Sequence, residues 1–115
     1  MYVTRLAQIE RTIPQMEGAE GVYKQVPLSR KDGAPVFSFR VFTIEPNGHT
    51  PFHRHDYEHM NYVISGEGVL VAEDREYEVR EGDFALVLPG EKHQYRNRSS
   101  DRDMVVICAV PKQYE

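Results

Sequence analysis

Apolar and polar positions along this chain change places every second residue far more often than every third or fourth. Short runs rich in Val, Ile, Phe and Tyr occupy roughly Val36–Glu45, Met60–Ser65, Val69–Glu73, Tyr77–Arg80, Phe84–Leu88 and Met104–Val110, and such residues suit a pleated, half-buried backbone. Between them stand Pro46-Asn47-Gly48, Ser65-Gly66-Glu67-Gly68, Glu73-Asp74-Arg75, Glu81-Gly82-Asp83 and Pro89-Gly90, which supply the positive-φ and fixed-φ positions that close hairpins. No long segment carries a 3.6-residue apolar period, and the one weak helical stretch, Thr4–Arg11, would be ended by Pro14. Short strands at regular spacing without crossover helices predict an all-β fold, an antiparallel sandwich or barrel.

The two faces of these strands differ in what they imply. In Tyr77–Glu81, Tyr77 and Val79 share one face and Glu78 and Arg80 the other, so one side should meet water. Met60–Ile64 and Met104–Val110 are apolar on both parities, as strands are when both faces are covered. Without a helix to supply the outer cover, a partner subunit is the natural one, and the pattern predicts a homodimer. Residues 1–30 alternate less clearly and read as an N-terminal arm able to pack on a partner subunit, with the β-barrel spanning 31–115.

The length of 115 residues suits one domain with a single core. A net charge of −4 without a basic block argues against nucleic acid as a partner. No apolar run reaches the length of a membrane span, and the first residues lack the charged start and apolar stretch of a secretory signal, so a cytoplasmic location is expected. Cys108 is the only cysteine, which rules out an intrachain disulfide and a cysteine-rich zinc site. Any metal ion must therefore be held by histidines and carboxylates.

Three of the five histidines, His53, His55 and His59, share one parity along an extended chain, and His93 arrives from another strand after Pro89-Gly90. A lone histidine reads as a surface residue or a hydrogen-bonded core one. An H-x-H-x3-H spacing with a further histidine converging on it reads as a metal-ligand arrangement, because each imidazole offers one lone pair and strands fix the angles. Glu58 is a carboxylate alternative of the opposite parity, and His49, which follows Asn47-Gly48, reads as exposed and outside the site.

The stretch "PNGHTPFHRHDYEHMNYVISGEG" resembles the first motif of the cupin superfamily, in which a Gly precedes H-x-H, an acidic ligand follows and a Gly closes the hairpin. Counting back from Gly66 puts His59, not Glu58, at that ligand position. The stretch "GDFALVLPGEKHQYRN" resembles the second motif, with Gly82, Pro89, His93 and Asn97 in matching places. Both histidine in place of the usual glutamate and the shortened gap between Pro89 and His93 occur together in the small single-domain manganese cupins with four histidine ligands. The likeness extends to "FRVFTIEPNG" and "ICAVPK". It implies a single-domain cupin, a double-stranded β-helix or jelly-roll barrel. It further implies one divalent ion on His53, His55, His59 and His93, with manganese favoured and iron, nickel, copper or zinc as alternatives.

Four neutral imidazoles would leave the ion its full charge, making it a strong Lewis acid, and an octahedral ion would keep two positions open to incoming molecules. Arg40, Tyr95 and Cys108 are candidates to orient a substrate or move protons beside it; the ordinary readings are a surface ion pair, a packed tyrosine and an inert small hydrophobe. In the resembling cupins the position matching Cys108 lies near the metal. The leading functional expectation is a metal-dependent oxidoreductase, dioxygenase-like, acting on a small organic substrate to which Arg40 lends a preference for anionic or carbonyl-bearing molecules. The alternatives are an isomerase or lyase using the ion only as a Lewis acid, and a small-molecule-binding or sensing module without catalysis.

Overall fold

Eight strands carry the chain, as the alternating pattern requires. The computed structural model describes residues 1–115 and places β1 at Glu20–Leu28, β2 at Phe37–His49, β3 at His59–Ser65, β4 at Glu67–Ala72, β5 at Glu76–Arg80, β6 at Phe84–Val87, β7 at His93–Arg96 and β8 at Met104–Pro111. Every pairing is antiparallel. The order is β5-β4-β7-β2-β8-β3-β6, with β1 added along β2. The sheet curls on itself as a single-domain jelly roll, the predicted all-β class.

Register sorts the side chains into an inside and an outside. Arg40, Cys108, Asn61 and Ala85 stand opposite one another across β2, β8, β3 and β6, so they share the inner face. One residue further along, the row Phe39, Ala109, Met60 and Leu86 turns outward. Inside, Ile44, Val63, Leu70, Val79, Val87, Tyr95, Met104 and Val106 form one cluster with Val22, and burial of each large apolar side chain contributes roughly 1.5–3 kcal/mol. β5 shows the expected split in part: Val79 is buried and Glu78 and Arg80 are exposed, whereas Tyr77, expected to share the face of Val79, is exposed on this edge strand.

Two parts of the chain depart from the sequence reading. The weak helical stretch Thr4–Arg11 contains only a 3-10 turn at Leu6–Gln8, which lacks a side-chain cap. The expected boundary between arm and barrel moves as well, because residues 20–28 of the arm are β1, paired with β2 of the same chain. Residues before β1 also dock on it: Thr12 bridges to Lys24, and the Gln25 side chain donates to the carbonyls of Leu6 and Ile9. β1 escapes recognition because its apolar and polar residues come in adjacent pairs, Val22-Tyr23 then Lys24-Gln25, with no alternation, and because it carries Pro27 on an edge, where a strand tolerates proline. No helix is long and apolar enough to cross a membrane.

Candidate metal centre

The backbone that builds the site is a second ladder continuing beyond β2. Asn97 donates to Gly48, Thr50 to Tyr95, and His53 and His93 exchange both of their backbone hydrogen bonds at 3.1 and 2.9 Å. Residues that exchange both bonds stand directly opposite, and their side chains project to the same face. His53 and His93 are thereby aimed together from segments forty positions apart. Asn47, at φ 63°, and Gly48 make the bend that starts this ladder. A Cβ at Gly48 would lie 2.7 Å from the Glu20 carbonyl oxygen, so the close approach requires glycine. His55 follows in a loop pinned where the Gly90 amide donates to the His55 carbonyl.

Three of the four expected ligands converge. The nitrogens offered by His53, His55 and His93 all lie within 4.8 Å of one another. The Nδ1 atoms of His55 and His93 lie 2.7 and 2.9 Å from the carbonyl oxygens of Tyr57 and Glu91. A carbonyl only accepts, so each Nδ1 is the protonated nitrogen and each Nε2 carries a lone pair. Both Nε2 atoms are buried and have no hydrogen-bond partner. Buried polar atoms are seldom left unpaired, and lone pairs left so by a fixed tautomer fit a metal cation.

His59 stands beside this trio without joining it. Its ring centroid is 4.4 Å from that of His55 and 5.1 Å from that of His93. Its Nε2 lies 3.2 Å from Nη2 of Arg40, and because a guanidinium only donates, His59 too carries its lone pair on Nε2. Glu58 is exposed and lies outside the cluster. His49 is also apart, with Nε2 3.5 Å from the Glu20 carboxylate.

All four site histidines are held neutral. Burial lowers the pKa of His53, with His93, His55 and Arg40 adding repulsion, and burial lowers those of His55 and His93 against the opposing pull of the Tyr57 and Glu91 carbonyls. His59 is pushed down to about 2 by burial and by the Arg40 guanidinium. Neutral imidazole is the ligating form.

A cavity of about 80 Å³ opens on the rings of His53, His59 and His93. Arg40, Tyr95 and Cys108, the three residues expected beside the ion, all line it. Arg40 is no surface residue: it is 7% exposed, and Nη2 donates to the Cys108 sulfur at 3.2 Å. The Tyr95 hydroxyl donates to Oδ1 of Asn61 at 3.0 Å, and burial raises its pKa.

With histidines converging inside a jelly roll, the chain matches the Cupin domain family over residues 40–110. The chain belongs to the cupin family. An uncharacterized protein of Aquifex aeolicus is 25% identical over 105 residues, 91% of this cupin and 81% of the relative. Among solved structures, the polyketide cyclase RemF of Streptomyces resistomycificus is 28% identical and superposes with a TM-score of 0.91, over 96% of this cupin and 79% of that chain. A predicted oxalate decarboxylase of Thermotoga maritima is 23% identical with a TM-score of 0.83, over 96% and 99% of the two chains, which speaks for the shared fold.

Three residues of the cupin's site escape the sequence reading. Asn61 had a signal, a polar residue inside an apolar strand that proves to be buried and bonded to Tyr95. Tyr57 stacks on His55 with ring centroids 3.9 Å apart, and Tyr114 stacks on Tyr57 at 4.0 Å. Neither tyrosine had a local signal, because the column forms only when the C-terminal segment folds back over the loop after His55.

Proposed function

We propose that this cupin is a metal-dependent enzyme acting on a small organic substrate, with one divalent ion on His53, His55 and His93 and with His59 as the fourth ligand. The observation that carries this reading is the pair of buried Nε2 lone pairs on His55 and His93 that no protein group uses. His59 completes the set by exchanging Arg40 for the ion, since its Nε2 already bears the lone pair. A bound ion would supply Lewis-acid polarisation of a ligand oxygen, and with a redox-active metal also electron transfer. The protein's own part is to orient and to keep water out. Arg40 offers fixed positive charge, the Tyr95 hydroxyl is turned to Asn61, and Phe42, Ile44 and Val106 give the cavity an apolar lining.

Two chemistries share this frame. The expected oxidoreductase needs a redox-active ion such as manganese or iron and an oxidant. The Lewis-acid alternative, an isomerase, lyase or cyclase, has support in the likeness to RemF, which is named as a polyketide cyclase. Manganese is the proposed native ion, although imidazole-rich sites hold nickel, copper and zinc more tightly. Elemental analysis of protein from its native host tests the centre: about one equivalent of metal is expected, and a metal-free protein that also fails to take up zinc or manganese would refute it. Turnover under strict anaerobiosis with zinc in the site separates the two, because only the Lewis-acid reaction survives both changes.

A cytoplasmic homodimer is part of the same proposal. The outward row Phe39, Ala109, Met60 and Leu86, with Phe84 and Tyr62 beside it, presents an apolar band on which Met60 is 60% and Phe84 81% exposed. A second copy of the chain is the partner that matches such a band, since the same patch can meet itself about a two-fold axis.

A further inference from the structure

We infer that the cavity is an anion site in which Arg40 recognises the carboxylate of a small organic acid. The inference names the substrate class for the metal site proposed above and rests on that reading for the ligand's other end.

Arg40 is buried without a counter-ion. The chain's ion pairs join Arg30 to Glu115, Arg54 to Glu73 and Arg98 to Glu76, and none includes Arg40. The groups that accept its hydrogen bonds are the Tyr114 carbonyl, His59 Nε2 and Cys108 sulfur, all at 3.2 Å. None of the three is a carboxylate. The Nε atom, sealed from solvent, has no acceptor at all. A buried guanidinium is costly unless it meets an anion, and its planar donors match a carboxylate.

The surroundings sharpen this need. No Asp or Glu lines the cavity, whose charged or ligating members are Arg40, His53, His59, His93 and Cys108. The histidines are neutral, so the guanidinium is the one fixed charge there, and a bound divalent cation would raise the positive charge further. Apolar walls weaken screening and strengthen attraction for an anion. A volume of about 80 Å³ admits a ligand of a few heavy atoms, far from the several hundred Å³ that a drug-sized molecule needs. A small carboxylate fits both the charge and the space.

The Arg40 Nε–H is a reporter for the test. Nitrogen-15 NMR spectra of the zinc-loaded protein are recorded through titrations with acetate and with acetamide, its neutral isostere. Acetate should move the Nε–H signal saturably and acetamide should bind at least about tenfold more weakly, as the loss of a charge-assisted pair requires. In Arg40→Gln, acetate affinity should fall at least about tenfold while zinc, followed on the histidine ring signals, binds no more weakly than in the wild type, because the lone pair of His59 loses its competing donor. A stationary Nε–H signal, or equal binding of acetate and acetamide, overturns the inference and leaves the metal reading intact. If zinc fails to move the histidine signals, the metal reading falls instead. The acetate titration of the metal-free wild-type protein then decides: a saturable Nε–H shift supports Arg40 as the anion site, and none refutes it. The wild-type measurements stand even if the variant fails to fold.

Discussion

A carbonyl oxygen can only accept a hydrogen bond, so the contacts of His55 with Tyr57 and of His93 with Glu91 fix the tautomer of both rings and leave Nε2 free to ligate. In the proposed centre, replacing either ring would remove a ligand from a set with few to spare: His93→Ala should weaken zinc binding by at least about 100-fold, measured by competition with a chromogenic chelator. Glu58→Ala, at an exposed position outside the cluster, should leave zinc affinity within about threefold in the same assay. The histidines also set an acid limit on the metal-free fold. Burial lowers the pKa of His53, His55 and His93 and brings His59 down to about 2, all from an ordinary value of 6.5. Below pH 6.5 the unfolded chain therefore binds protons that the folded chain refuses. Stability is fully present above that pH and is lost as pH falls toward the folded values. The urea midpoint of chelator-treated protein should be lower at about pH 5 than at about pH 7.5, and His59→Gln should flatten the dependence. An equal or higher midpoint in acid would contradict the neutral, buried histidines.

At the scale of the element, the site depends on how tightly strands cross. Gly68 of β4 lies so close to β7 that an added Cβ would overlap the Arg96 carbonyl oxygen and approach the Met104 sulfur to 2.8 Å. Gly66 combines a φ of 79° with an equally close approach to Asp103. Gly82, at φ 95°, has nothing near its missing Cβ. Gly68→Ala should thus destabilise by about 3 kcal/mol or more through backbone displacement, and Gly82→Ala by only about 1–2 kcal/mol of left-handed strain. Urea unfolding of the two variants checks the order, and equal losses would mean that the β4–β7 crossing yields more easily than its geometry indicates. Because β7 carries His93 and Tyr95, Gly68→Ala should also weaken zinc binding, whereas Gly82→Ala should not.

For the whole molecule, the outward apolar band carries the homodimer part of the proposal. Sedimentation velocity should give a dimer, and Met60→Glu together with Phe84→Glu should give a folded monomer, since both side chains stand exposed on the band. A monomeric wild-type protein would remove the homodimer from the proposal. Much of the architecture was legible in the chain itself. Six of the eight strands follow from apolar alternation between turn-forming glycines and prolines, and the H-x-H spacing with His93 drew attention to the three rings that converge, His53, His55 and His93. β7 could not be read so, because His93-Gln94-Tyr95-Arg96 spends its inner positions on a histidine and a bonded tyrosine instead of aliphatic residues. Periodicity, turn chemistry and the list of available lone pairs are local properties, and the sequence alone determined them. Register between strands far apart in the chain is not local. Only the tertiary structure decided that His53 and His93 face each other, that the His59 lone pair meets Arg40, and that the Tyr114 carbonyl closes over the same guanidinium, because each depends on which strands lie side by side once the sheet has curled.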